Sequence, residues 1–147
     1  LHLVGLAQHQ TGGAALEKVR ALQSAAHRLR YDGPVCEDAL HAAYARASFT
    51  VYPSFCEGFG LPVLESLAHG KPCICSARGA LGESSRGGGC LALDRTDTPA
   101  LATAIEKLLG DSSTRDRLTA EARARAFRTW SDYARELTAW IHTLRVR

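Results

Sequence analysis

Short apolar runs alternate with amphipathic segments along most of the chain. Apolar residues at helical spacing predict helices over residues 14–30, 37–46, 62–69, 99–109 and 130–144, and one more around Leu118, Ala122 and Phe127. Runs with strand character lie between them at residues 1–5, 33–35, 49–52, 72–75 and 90–93. This alternation predicts a Rossmann-like α/β fold, with a parallel sheet and helices on both faces.

Three details of the pattern make further predictions. Thr98 before Pro99 has the residue types of a helix N-cap and first helical position. Residues 76–89 are rich in glycine and serine, so we expect at most one helical turn there, near Glu83. Aromatic residues recur at helical spacing in the last helix, and we interpret them as core residues: Trp130, Tyr133 and Trp140.

Composition is that of one soluble domain over residues 1–147. Of the 147 residues, 46% are hydrophobic and 22% are charged, enough apolar residues for a sizeable core. A formal charge of +3 with dispersed arginines does not indicate nucleic-acid binding. The sequence shows neither a membrane-spanning run nor a signal-peptide pattern, so we expect a cytoplasmic protein.

Cysteine and methionine usage add two expectations. Five cysteines without paired metal-ligand spacing favour reduced thiols and no metal site, and the two thiols of Cys73-Ile74-Cys75 are interpreted as small buried side chains. The chain has no methionine and begins with Leu1 in a predicted strand, so we expect it to be a piece of a longer protein.

The most informative segment carries two carboxylates around a glycine-lined loop. Glu57 and Glu65 flank the GFGLP stretch at residues 58–62. Gly58 and Gly60 permit close backbone approach to a ligand, and Pro62 suits a first helical turn whose N–H groups face an anion. Since this loop follows the strand of residues 49–52, it lies at the carboxyl edge of the sheet, where such folds bind ligands. The segment therefore indicates a nucleotide-sugar site.

The surrounding residues 53–72 resemble the C-terminal domain of the family-4, or group 1, retaining glycosyltransferases, which have the GT-B fold. The resemblance rests on Pro53-Ser54, on the Glu57 and Glu65 pair around GFGLP, and on the helix exit from Ala68 to Pro72. It extends to residues 33–35, 40–47, 79–83 and 101–109 and to Trp130, and so covers nearly the whole chain.

The resemblance implies specific roles. Glu57 would contact hydroxyls of the donor sugar as the catalytic residue, and Glu65 would hold the ribose hydroxyls. Backbone N–H groups near Gly58, Phe59, Gly60 and Leu61 would receive a phosphate, and the loop around Val35 would hold the base. The chain would be the donor-binding domain of a hexosyltransferase, with a nucleotide diphosphate sugar as substrate and no cofactor or metal.

The resemblance also implies what lies outside the chain. The family's first strand of this domain, and the basic loop after it that contacts the diphosphate, are absent from these residues. The acceptor would bind mainly to an N-terminal domain, and any peripheral membrane association would belong to that missing part. The resemblance further implies that exposed aromatics on the last helix would mark a lost contact with that domain.

Several alternatives remain open at this point. Singly, Glu57 suits a solvated loop acid and Glu65 an acid near a helix start. Arg78 and Glu83 are either part of the site at the ligand edge or exposed to solvent. The glycines at residues 87–89 are interpreted as a mobile surface turn in preference to a phosphate loop. Two other functions fit the pattern: a nucleotide-sugar epimerase of the same fold, and a nucleotide-binding subunit without catalysis.

Overall fold

The computed structural model describes residues 1–7, 12–25 and 28–144, which form an α/β structure with parallel sheets. The chain divides into two compact units, Leu1–Ala47 and Ser48–Arg147. The prediction that residues 1–147 make up one domain stays a prediction.

The N-terminal unit contains a pair of short parallel strands and two helices. Its elements are β1 (His2–Leu3), α1 (Gly13–Ala25), β2 (Arg30–Tyr31) and α2 (Glu37–Arg46). The backbone N–H of Arg30 donates to the Leu1 carbonyl at 2.9 Å, and the Asp32 carboxylate pairs with both His2 and Arg30. These contacts hold Arg30 in a strand.

Two sequence predictions for this unit were therefore wrong in their boundaries. The helix predicted over residues 14–30 includes Arg30, which lies in β2, and residues 26–27 are outside the described part of the chain. The extended segment predicted at residues 33–35 has no regular structure, because the strand pairing occurs just upstream, at Arg30 and Tyr31.

The C-terminal unit is built on a three-stranded parallel sheet in the order β3-β4-β5. Its elements are β3 (Thr50–Tyr52), α3 (Leu61–Ala68), β4 (Cys73–Ser76), α4 (Gly79–Ser85), β5 (Cys90–Leu93), α5 (Thr98–Gly110), α6 (Ser112–Arg123) and α7 (Trp130–Thr143). All four residues of the central strand β4 are buried, as expected for a parallel strand covered on both faces.

Alternation along β4 divides the core between the two faces of this sheet. Cys73 and Cys75 pack on one face with residues of α3, α4 and α6, whereas Ile74 packs on the other face with residues of α5 and α6. The first face contains Val63, Leu67, Leu81 and Ala122, and the second contains Ala104, Leu108 and Leu118. Helices on both faces and buried thiols in β4 are thus confirmed.

The glycine-rich region after β4 forms more helix than its composition predicts. The seven-residue helix α4 replaces the single turn expected near Glu83. Its Leu81 is buried, and a β carbon on Gly82 would lie 2.1 Å from the Ala77 carbonyl oxygen, so glycine lets the helix pack directly on the chain. Tertiary packing therefore overrides the weak helix propensity of glycine and serine.

Two helix boundaries also differ from prediction. Asp97, not Thr98, is the N-cap of α5, because its carboxylate accepts a hydrogen bond from the Ala100 N–H at 3.0 Å. Helix α6 ends at Arg123, so Phe127 lies beyond it.

The apolar stripe of α7 is exposed, so the prediction that its aromatic residues belong to the core was wrong. Trp130 is 87% exposed, Trp140 is 58% exposed, and Tyr133 is also exposed. The helix starts with a capping box in which Thr129 and Asp132 exchange hydrogen bonds, so its N-terminus is stabilised locally. Within the described residues, no helix has the length and apolar character needed to cross a membrane.

Candidate functional site

The candidate site begins where β3 ends. The phenol of Tyr52, the last residue of β3, donates a hydrogen bond of 2.6 Å to Glu57 Oε1. This contact folds the loop after the strand back onto the strand end. Tyr52 thereby fixes the position of a carboxylate that would otherwise belong to a freely moving loop.

The electrostatics of the pair follow from this hydrogen bond. Donation from Tyr52, together with a hydrogen bond from Ser54, lowers the pKa of the Glu57 carboxyl, so Glu57 is a carboxylate at neutral pH. The same contact, with burial and the negative charges of Glu57 and Glu65, raises the pKa of Tyr52 to about 12.

Gly60 provides the turn from this loop into α3. Its φ of 81° and ψ of 44° are left-handed values, and it serves as the N-cap of the helix. The residue is buried, and a β carbon there would lie 2.3 Å from Leu81 Cδ2. Glycine is thus required both by the backbone conformation and by α4 behind it.

The remaining residues of the segment point outward. Gly58 has open space around it, and the Phe59 and Leu61 side chains are 63% and 58% exposed. Glu65 is exposed on the second turn of α3. Glu57 thus lies in the loop before α3 and Glu65 on its second turn, and the roles predicted for them stay predictions.

Val35 belongs to the other unit. It is partly buried between β2 and α2, and its predicted contact with the base stays a prediction.

The sequence prediction missed Tyr52 as the partner of Glu57. A tyrosine at the end of a strand, shortly before a loop acid, was the available signal, but the bond depends on how the loop folds. Of the two open cases, Arg78 lines a cleft at the carboxyl edge of the sheet, whereas Glu83 is exposed on α4.

The glycine run at residues 87–89 is held in place by α6 and the segment after it. The Glu121 carboxylate accepts from the Gly89 N–H at 2.9 Å, and Arg125 donates to the carbonyls of Ser84 and Gly88 at 3.0 and 3.2 Å. Gly89 is buried, and a β carbon there would lie 2.9 Å from Ala122 Cα. Gly87 is exposed in a turn, as the sequence favoured, whereas Gly89 is packed against α6.

The chain is similar to proteins of known family. The family model described as glycosyl transferases group 1 matches residues 1–111. The O-antigen chain mannosyltransferase B of Escherichia coli is 42% identical over 98 residues, which are 67% of this chain and 26% of that protein. A D-inositol 3-phosphate glycosyltransferase of Streptomyces griseus is 32% identical over 138 residues, 89% of this chain and 29% of that protein.

Solved structures agree in fold. Sucrose-phosphate synthase from Thermosynechococcus elongatus superposes with a TM-score of 0.77 and 30% identity, over 97% of this chain and 37% of that chain. Anabaena HepE in complex with UDP and glucose superposes with a TM-score of 0.75 and 19% identity, over 97% of this chain and 40% of that chain. The chain thus spans less than a third of the length of either curated relative.

Proposed function

Since the chain belongs to the group 1 glycosyltransferases, we propose that it forms the donor-binding domain of a retaining hexosyltransferase. The enzyme would move a sugar from a nucleotide diphosphate sugar to an acceptor. In this proposal the acceptor binds mainly to a further domain outside these 147 residues.

The observation that carries the proposal is the Glu57 carboxylate held by Tyr52 beside the start of α3. A hydrogen bond of 2.6 Å from the Tyr52 phenol fixes one Glu57 oxygen. The rest of the carboxylate has acceptor capacity for the hydroxyls of a donor sugar. The lowered pKa of Glu57 keeps the side chain ionised at neutral pH, so its oxygens accept hydrogen bonds from neutral hydroxyl groups.

Glu65 and the helix terminus complete the donor site in this proposal. Glu65, on the next turn, would accept hydrogen bonds from the two ribose hydroxyls. Backbone N–H groups around Gly58, Phe59, Gly60 and Leu61 lie at the positive end of α3, where a phosphate is favoured by about 0.3–2 kcal/mol per interaction. The relatives support a nucleotide sugar as donor, since HepE was crystallised with UDP and glucose and others are named as glycosyltransferases.

The proposed reaction breaks the bond between the anomeric carbon and the donor diphosphate. Negative charge grows on the leaving diphosphate, and prearranged N–H dipoles at the start of α3 stabilise it without reorganisation. Glu57 would hold the transferred sugar so that the acceptor hydroxyl approaches on the face of the leaving group. The hydroxyl oxygen then forms the new bond to the anomeric carbon, and its proton passes to the leaving diphosphate oxygen. That arrangement gives retention of the anomeric configuration.

Transfer assays on the gene product that carries this chain test the proposal. Glu57→Gln removes the charge but keeps the shape, and we expect kcat to fall by about 10²–10³-fold, the range for losing one transition-state contact. Glu106→Gln, an exposed acid on α5, is the matched control and should keep full activity. Wild-type transfer by Glu57→Gln would refute the assignment.

Product analysis separates the proposal from its alternatives. The anomeric signals of the product in ¹H NMR should show the configuration of the donor. An inverted product contradicts the retaining mechanism, and an epimerised nucleotide sugar identifies an epimerase. Nucleotide binding without any turnover identifies a non-catalytic subunit.

A further inference from the structure

The cleft lined by Arg78 lies at the carboxyl edge of the sheet, beyond the ends of β4 and β5. Its volume is about 270 Å³, and its lining includes Ser76 at the end of β4 and Asp94 directly after β5. Phe55, in the same loop as Glu57, forms another part of the lining. The cleft therefore adjoins the loop of the candidate donor site but uses different residues.

The charged groups of the cleft divide into a paired and an unpaired set. Asp97 caps α5 and forms an ion pair of 2.5 Å with Arg95, so both are engaged. In the described part of the chain, neither the Arg78 guanidinium nor the Asp94 carboxylate has a hydrogen-bond or ion-pair partner. One cation and one anion are thus available to a ligand, with no excess of either charge.

The chemistry of the lining suits a polyhydroxylated molecule. A carboxylate accepts hydrogen bonds from neighbouring hydroxyls, and a guanidinium donates to hydroxyl or ring oxygens. The hydroxyls of Ser76 and Thr96 add groups that both donate and accept. The Phe55 ring, 84% exposed at the cleft, offers an apolar surface to the C–H face of a sugar.

A phosphate group fits this lining less well than a neutral sugar. The charges of the lining balance, with Arg78 and Arg95 against Asp94 and Asp97, so the cleft has no net positive charge to offset the desolvation of a phosphate. The volume also restricts the ligand, since 270 Å³ lies just below the roughly 300–1,000 Å³ of sites for drug-sized molecules. One sugar ring suits this space better than a whole nucleotide sugar.

We infer that this cleft binds one neutral hexose unit of the acceptor, so that the acceptor of the enzyme is a glycan or glycoside. The inference rests on the proposed glycosyl transfer and adds the substrate class of its second substrate. Arg78 and Asp94 would bind the hydroxyls of the ring, and Phe55 would cover its apolar face. The rest of the acceptor would lie on the further domain, and this one unit would occupy the cleft at the same sheet edge as Glu57.

Saturation-transfer NMR on the gene product, with methyl α-D-mannopyranoside as the probe, tests this inference. We expect transfer to the ring protons of the glycoside, and about tenfold weaker binding in Arg78→Ala and in Asp94→Asn, the effect of one lost hydrogen bond to a charged group. Arg86→Ala is the matched control, since Arg86 is also an exposed arginine and lies at the other end of α4. It should bind as the wild type does.

Three results would overturn the inference. They are the absence of transfer to the glycoside at millimolar concentrations, equal binding by Arg78→Ala and Arg86→Ala, and displacement of the glycoside by inorganic phosphate. UDP binding, measured on the same variants, should be unchanged. Glycoside binding without UDP binding would refute the donor site and leave the cleft standing, whereas the reverse would refute the cleft alone.

Discussion

Gly60 and Leu81 are in such close contact that a β carbon on the glycine would lie 2.3 Å from Leu81 Cδ2. The contact joins the N-terminus of α3 to the helix behind it. It leaves no room for a side chain between the start of α3 and α4.

Gly60→Ala should therefore destabilise the protein. The left-handed backbone costs about 1–2 kcal/mol for an L-residue, and displacing Leu81 costs about 1–3 kcal/mol more. Gly58→Ala is the control, because Gly58 lacks a positive φ and no other residue lies within 4 Å of its added carbon among those described. Urea denaturation should show a lower free energy of unfolding for Gly60→Ala. For Gly58→Ala the free energy of unfolding should change by no more than about 0.5 kcal/mol.

The Tyr52 to Glu57 hydrogen bond predicts an alkaline transition. The pKa of Tyr52 is raised from 10.0 to about 12 in the folded chain. The stabilisation of the fold by this hydrogen bond is therefore fully present below pH 10 and is lost as pH rises through about 12. The phenolate absorbance of the wild type minus that of Tyr52→Phe should report this late titration. In Glu57→Gln the Tyr52 pKa should move back toward 10; an unchanged value would contradict the contact.

The same hydrogen bond lowers the pKa of Glu57, so its stabilising effect is lost at low pH. The pKa of Glu57 is lowered from 4.5, so its contribution is present above pH 4.5 and is lost as pH falls through the lowered value. Tyr52→Phe should raise the Glu57 pKa, as followed by carbon-detected NMR of the side-chain carboxyl. A carboxyl that titrates identically in both proteins would rule out this role of Tyr52.

Arg125 should stabilise the connection at residues 87–89. Its guanidinium donates to the carbonyls of Ser84 and Gly88 and lies over the Phe127 ring at 5.6 Å. We expect Arg125→Ala to lower the free energy of unfolding by about 1.5–3 kcal/mol, the usual value for hydrogen bonds from a charged group. In thermal unfolding, the midpoint of Arg125→Ala should be lower than that of the control Arg86→Ala. Equal midpoints would show that the connection does not need Arg125.

The five cysteines should react in two classes. Cys36 and Cys56 are exposed, whereas Cys73 and Cys75 are buried. Cys90 is half-buried, and its hydrogen bond with Cys75 together with burial raises its pKa, which slows reaction by keeping the thiol protonated. Ellman's reagent should modify two thiols rapidly in the folded chain and all five in guanidinium chloride. Four rapid thiols in the folded chain would contradict this packing.

Sequence patterns predicted the three-stranded sheet well, because its strands are short apolar runs. Strand β2 was missed, because Arg30 and Tyr31 do not form such a run and are held in the strand by pairing with β1. Helix α4 could not be predicted in the same way. Its glycines and serines favour a loop, and only the burial of Leu81 and the close approach at Gly82 make the helix stable. The apolar stripe of α7 predicted an amphipathic helix, but a stripe alone does not show whether another surface covers it.

The site was predictable to the level of its carboxylates. The spacing of Glu57 and Glu65 around a glycine-lined helix start is local information, and the structure adds the hydrogen bond from Tyr52 to Glu57. The cleft was not predictable, because Phe55, Arg78 and Asp94 come from three different loops. Only the pairing of adjacent strands brings those loops together.

The order of the sheet also bears on how the C-terminal unit folds. Strands β3, β4 and β5 are neighbours in space in the same order as in the chain. The paired residues Thr50 and Cys73 are 23 positions apart and Cys73 and Cys90 are 17 apart, spans that hold a crossover helix. During synthesis each strand can therefore pair with the strand made just before it. Helix α6 comes last among the core helices, and Ala122 then packs in the core with Leu67 and against Gly89. We expect its docking to be the late step that locks the face of the sheet lined by cysteines.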